Sequence, residues 1–76
     1  MKQVERAVKP PPRASRAESA ARTRRRLLDS AGDVFAELGF QAATVEAVVE
    51  RAGYTRGAFY AHFTDKADIL ITLLEE

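Results

Sequence analysis

Ala17, Ala20, Ala21, Leu27, Leu28, Ala31, Val34, Phe35 and Leu38 recur at helical spacing, with Arg22, Arg24, Arg25, Arg26, Asp29, Asp33 and Glu37 between them. That period predicts one long amphipathic helix. A chain of 76 residues that commits so much of itself to a single helix has room for one small domain, whose other elements must cover the apolar stripe. There is no cysteine, so no disulfide framework and no thiolate metal or redox site is available. Apolar packing alone must hold the domain together.

The punctuation along the chain fixes the remaining elements. Ser15 with Glu18 three residues on has the form of a capping box, which predicts a helix start near Arg16. Gly39 follows the long helix as the residue best able to end it in a left-handed conformation, and Phe40 is placed to fold back onto the last turn. Thr44 is suited to cap a short second helix in which Val45, Val48, Val49 and Ala52 share one face. Ala52-Gly53 breaks it, and Thr55 can cap a third helix running to about Phe63, with Phe59 and Phe63 on its inner side. Asp65 caps a fourth, with Asp68 at the N3 position and Ile69, Leu70, Thr72, Leu73 and Leu74 continuing it. Nothing alternates with period two, so the expected class is all-α.

Charge is distributed very unevenly. Residues 1–26 hold nine cations against two carboxylates, a net of +7, while residues 27–76 hold three cations against nine carboxylates, a net of −6. Residues 1–15, with Pro10-Pro11-Pro12 and few large apolar groups, are expected to form a disordered basic arm, and residues 16–76 the folded domain. A basic arm on an acidic body suits contact with a polyanion, because each cation brought to a phosphate releases counterions. The alternative is a solubilising tail. The apolar runs are far shorter than the ~20 residues a membrane-spanning helix needs. Val8 is followed by Lys9 and three prolines, so the basic start has no apolar h-region, and a cytoplasmic location is expected.

Two short helices joined by a glycine-bearing turn are the layout of a helix-turn-helix. The particular residues sharpen it. From Thr23-Arg24 through Leu27-Leu28, Ala31, Val34-Phe35, Leu38-Gly39-Phe40, Thr44-Val45, Val48-Val49 and Ala52-Gly53-Tyr54-Thr55-Arg56 to Gly57-Ala58-Phe59-Tyr60-Ala61-His62-Phe63 and Asp65-Lys66, the chain resembles a known domain without a gap. That domain is the N-terminal DNA-binding domain of the TetR family of bacterial transcriptional repressors. The resemblance implies a three-helix, homeodomain-like helix-turn-helix bundle plus the first part of a fourth helix. It also implies sequence-specific binding of double-stranded DNA by insertion of the third helix into the major groove.

Under that resemblance the candidate DNA-binding residues are Thr44, Thr55, Arg56, Gly57, Ala58, Tyr60, His62 and Lys66. With Phe59 and Phe63 inward, Gly57, Ala58 and Ala61 are expected outward, leaving a face with little side-chain bulk that can press close to a groove. Gly57 costs a helix interior about 1 kcal/mol relative to alanine, so either close approach to a partner or packing against the second helix must account for it. Tyr60 and His62 project from the flanks toward phosphate oxygens. Arg56 can reach a guanine edge or a phosphate. Thr44, Thr55 and Lys66 stand at helix starts, where exposed amides favour an anion, and Lys66 opposes its helix dipole unless an anion is near. Arg22, Arg24, Arg25 and Arg26 resemble the basic extensions with which some family members reach along the backbone or into the minor groove.

Family members carry a larger C-terminal domain that forms a homodimer and holds an inducer pocket, and the sequence to Glu76 contains neither. A single reading helix is expected to bind in the non-specific range of roughly 10⁻⁴ to 10⁻⁶ M. A second reading treats the chain as a truncated interaction module that pairs with a full-length relative through an exposed Ile69 to Leu74 face. An enzyme is the poorest reading, because one histidine and no cysteine leave no convergent acid, base and nucleophile set. No cofactor or metal is expected, for the same shortage of ligands.

Overall fold

The computed structural model describes the backbone of residues 12–76 and the side chains from Glu18 onward. Four helices make up the domain: α1 (Pro12–Ala42), α2 (Val45–Ala52), α3 (Arg56–His62) and α4 (Lys66–Glu75). No strand occurs among the described residues, and the class is all-α, as the periodicity predicts.

The long first helix begins earlier than the sequence suggests. Its first residue is Pro12, so Ser15 lies within the helix and not ahead of it as a cap, and residues 12–15 of the expected arm are helical. Proline explains this: its φ is already helical, and it lacks the amide hydrogen that a first turn leaves unpaired. Residues 1–11, the rest of the expected arm, lie outside the described residues. Glu18 to Arg22 are all exposed, so the early turns of α1 carry Ala20 and Ala21 away from the core. The core begins at Leu27 because the three short helices cover α1 only from there on.

Leu27, Leu28, Ala31 and Val34 of α1 meet Val48, Val49 and Ala52 of α2, Phe59 of α3, Phe63 just beyond it, and Ile69 of α4. The apolar stripe predicted for α2 is the one that is buried. A buried polar contact registers the first two helices, with Ser30 Oγ donating to the Val48 carbonyl at 2.6 Å. On the rim, Arg51 reaches Glu37 at 2.7 Å and Asp33 at 3.7 Å. Exposed pairs of this kind contribute up to about 1 kcal/mol each.

Two glycines set the chain reversals. Gly39 takes φ 82° and ψ 161°, a region essentially closed to other residues, and kinks α1 so that its last turn folds back. Phe40 then packs on Phe35, with ring centroids 5.6 Å apart. Gly53 is left-handed at φ 83° and ends α2. Its amide donates to Glu50 O at 3.3 Å and the Tyr54 amide to Val49 O at 2.9 Å, the paired bonds of a Schellman motif. The turn between α2 and α3 is therefore tight and closed by backbone hydrogen bonds.

At the start of α4, Asp65 Oδ1 accepts from the Asp68 amide at 2.8 Å, and Asp68 Oδ2 accepts from the Thr64 amide at 2.9 Å. The capping residues match the sequence reading, but the face of α4 does not. Ile69 is fully buried and Leu73 packs partly against the core, which leaves Ile71 and Leu74 as the exposed large apolar side chains of α4. The continuous Ile69 to Leu74 docking face expected for an interaction module is thus largely consumed by the fold. Among the described residues, no helix is long and apolar enough to cross a membrane.

Candidate nucleic-acid interface

The N-terminal ends of α2 and α3 are built alike. Thr44 Oγ1 accepts from the Ala47 amide at 3.0 Å and Thr55 Oγ1 from the Ala58 amide at 3.3 Å, each threonine in extended backbone ahead of its helix. Each hydroxyl satisfies one otherwise orphaned donor.

Phe59 and Phe63 anchor α3, their rings 5.6 Å apart and both buried. This fixes which side of the helix faces out. Gly57 and Ala61 are exposed, and Tyr60 is 49% exposed with its ring edge-on to Phe59 at 5.1 Å. Ala58 departs from expectation: it is half-buried, because it lies on the flank shared with His62, four residues on, and not opposite the phenylalanines. The bare surface is therefore Gly57 and Ala61, narrower than the sequence suggests.

A Cβ built at Gly57 would meet only Thr55 Oγ1, at an ordinary 3.7 Å. No part of α2 requires a glycine there. Packing against the second helix therefore does not account for the glycine.

The cations divide into two sets. Arg22 and Arg26 are exposed and take no ion pair among the described residues. Arg24 instead lies with its guanidinium 4.6 Å from the Phe63 ring centroid and donates to the His62 carbonyl at 3.4 Å. Arg25 forks onto Glu76 at 2.7 and 3.1 Å and also bonds Asp29. That fork holds the Glu76 carboxyl below the usual carboxylate range, with desolvation opposing it, and raises Arg25 above the usual guanidinium range.

Lys66 is also turned inward. Its ammonium donates to the carbonyls of Phe40 at 2.6 Å, Ala43 at 2.8 Å and Gln41 at 3.2 Å, and sits 4.4 Å from the Phe40 ring centroid. All three donors are used, so none is left for a phosphate in this arrangement. No anion is needed to offset its unfavourable place in the α4 dipole, because the partial negative charge of the carbonyls at the end of α1 does so.

Arg56 is exposed, and its Nε lies 3.4 Å from Glu46 Oε2. Glu46, in the first turn of α2, went unnoticed in the sequence. Its only signal was an acid in one short helix and a base in the next, which the tight turn brings together.

A tight turn between two short helices, the second anchored by aromatic residues and bare outside, defines a helix-turn-helix. The sequence profile described as "Bacterial regulatory proteins, tetR family" matches residues 27–73. The chain belongs to the TetR family. It is similar to the HTH-type transcriptional regulator SrpR of Pseudomonas putida, 41% identical over 76% of this chain and 27% of that protein. It is likewise similar to the HTH-type transcriptional repressor BepR of Brucella suis, 44% identical over 72% of this chain and 26% of the relative. With the HTH-type transcriptional repressor AcnR of Corynebacterium diphtheriae the identity is 40% over 70% and 28% respectively. The chain spans roughly a quarter of the length of these three relatives.

Proposed function

We propose that this domain binds double-stranded DNA by laying α3 in the major groove, as the DNA-reading part of a cytoplasmic TetR-type transcriptional repressor. The observation that carries the reading is Gly57: an exposed glycine in the first turn of α3 where an added Cβ would meet only Thr55 Oγ1, at 3.7 Å, so that no neighbour in the fold requires the missing side chain. With Ala61 it forms a strip on which a duplex can approach the backbone. Arg56 and Tyr60 border that strip and supply base or phosphate contacts. His62 lies on the half-buried flank beside Ala58 and reaches only the edge of such a contact. Thr44 and Thr55 hold the two helix starts toward the same partner, and Arg22 and Arg26 add backbone charge. Lys66 and Arg24 support the reading as residues that hold the frame. A homodimer, which the family resemblance implies, would set two copies of α3 one duplex turn apart.

The test is a pair of substitutions read by duplex selection and anisotropy. Gly57→Ala is expected to keep or raise the melting temperature while weakening binding to duplexes selected from a random library. Gly57→Leu should abolish selection. Unchanged selection by the folded Gly57→Leu protein would show that this strip does not face DNA.

A further inference from the structure

Among the described residues, Arg56 of α3 pairs with one acidic side chain, Glu46 of α2. The pair is peripheral: the two side chains are 62% and 61% exposed, so it adds little to stability. Yet a carboxylate on a surface that approaches a polyanion works against binding at every sequence. Its place in the first turn of α2 suits that helix's dipole, a modest gain that any first-turn acid would give, and the pairing with Arg56 is the feature specific to this position.

We infer that Glu46 is a specificity-determining residue, holding Arg56 by its Nε side so that the guanidinium addresses a base edge and is discouraged from settling on a phosphate. This rests on the groove-binding reading of α3. Arg56 has two uses against a duplex. While it stays on Glu46 its charge is already compensated, so to neutralise a phosphate it has to give up the pair, and the carboxylate is then unpaired beside the DNA backbone, a like-charge arrangement that penalises every sequence equally. To address a base it keeps Nε toward Glu46 and turns its terminal amino groups toward the O6 and N7 acceptors of a guanine, the fork contact that discriminates bases. The carboxylate thus penalises the indiscriminate use and leaves the selective one open. Specificity that comes from repelling the wrong contact needs no extra affinity for the right one.

The experiment compares the full chain with Glu46→Gln, Arg56→Ala and the double variant. Each is titrated at several salt concentrations against a duplex recovered by selection and against a random-sequence duplex of the same length. Glu46→Gln is expected to bind the random duplex more tightly and with a steeper salt dependence, by about 0.9 in the log–log slope, the increment for one further phosphate neutralised. The selected-to-random affinity ratio should fall roughly tenfold, within the discrimination one bidentate contact supplies. In the Arg56→Ala background the Glu46→Gln change should leave that ratio unmoved. Thermal melting of Glu46→Gln should fall by only a few degrees, the loss of a first-turn dipole interaction of about 0.3–1 kcal/mol, so the variant stays folded under the binding conditions. If both duplexes gain equally and the ratio holds, Glu46 acts only through net charge and the inference fails. A drop for both duplexes, or a ratio that falls equally without Arg56, also overturns it. Should the parent itself fail to distinguish the duplexes, the groove-binding reading fails with it, and that outcome is recognisable before any variant is compared.

Discussion

Lys66 and Phe40 join the two ends of the domain's frame: the ammonium lies 4.4 Å from the ring centroid while donating to the Phe40 carbonyl at 2.6 Å. Arg24 and Phe63 repeat the arrangement at the end of α3, where a guanidinium rests on the ring and reaches the carbonyl of the preceding residue, His62. In both places a cation from another helix closes a carbonyl-rich helix end and is held there by the aromatic residue at that end. Helix C-termini favour cations for this reason, and stacking on the ring adds to the attraction.

Lys66 should therefore be a stability residue. Replacing it with methionine keeps the stem but removes the charge and leaves three carbonyls without their shared donor. Hydrogen bonds from a charged group contribute about 1.5–3 kcal/mol, and because one ammonium serves all three carbonyls the loss is expected near 2–3 kcal/mol in total. For a domain of this size that lowers the melting temperature by roughly 10–20 °C. Lys66→Arg should recover only part of it, since a planar fork does not match three carbonyls converging on one point. Calorimetry or urea melts of the two variants check this; a melting point unchanged in Lys66→Met would mean the clamp contributes nothing.

The same two cations show where sequence was informative and where it was not. Helix number, the Thr44, Thr55 and Asp65 caps, and the inward Phe59 and Phe63 follow from local signals within one or two turns, and each is present in the structure. Arg24 and Lys66 were legible only as charge, because their partners lie 38 and 26 residues away and no local pattern joins them. Glu46 escaped for the same reason, its contact with Arg56 existing only once Gly53 has turned the chain. Ala58 is half-buried where the helical wheel predicts it outward, because two inward anchors define a direction, while the width of the buried arc depends on how closely α2 approaches.

Gly32 and Gly39 predict opposite responses to the same substitution. Neither has a heavy atom within 4 Å of an added Cβ, so sterics do not separate them. Backbone conformation does. Gly32 lies within regular helix, and alanine there should stabilise the domain by about 0.5–1 kcal/mol through lower unfolded-state entropy and better helix propensity. Gly39, at φ 82° and ψ 161°, sits where a side chain is strained, and alanine should cost about 1–3 kcal/mol. Urea melts of the two variants should move in opposite directions from the parent, and a shared direction would contradict the assigned backbone at one of them.

The Arg25–Glu76 fork carries a pH signature. Hydrogen bonding to Arg25 holds the folded Glu76 carboxyl below its unfolded value of about 4.3. A depressed acid favours the folded state above the unfolded value, and the contribution is lost as pH falls through the folded one. Both groups are solvent-facing, so added salt should weaken the effect. In a carboxyl-resolved NMR titration, Arg25→Gln is expected to move Glu76 upward toward the ordinary glutamate range. An unmoved Glu76 would mean that the fork does not persist in solution.

Arg22 and Arg24 separate charge that is free to meet a duplex from charge already engaged in the fold. They lie two residues apart on α1, yet Arg22 is exposed while Arg24 is stacked on Phe63. If the basic turn of α1 runs along a phosphate backbone, Arg22→Gln removes one neutralised phosphate and flattens the slope of log K against log salt by about 0.9. Arg24→Gln should leave that slope close to the parent's. It should instead lower stability by about 1 kcal/mol, the scale of a partly exposed cation–π contact, and weaken binding by a similar factor at every salt concentration. The discriminating quantity is the slope and not the affinity, because a loosened α3 and a lost phosphate contact both weaken binding, but only the second changes how many counterions are released. Equal flattening by the two variants would place Arg24 on the DNA and dissolve the division between the two sets of arginines.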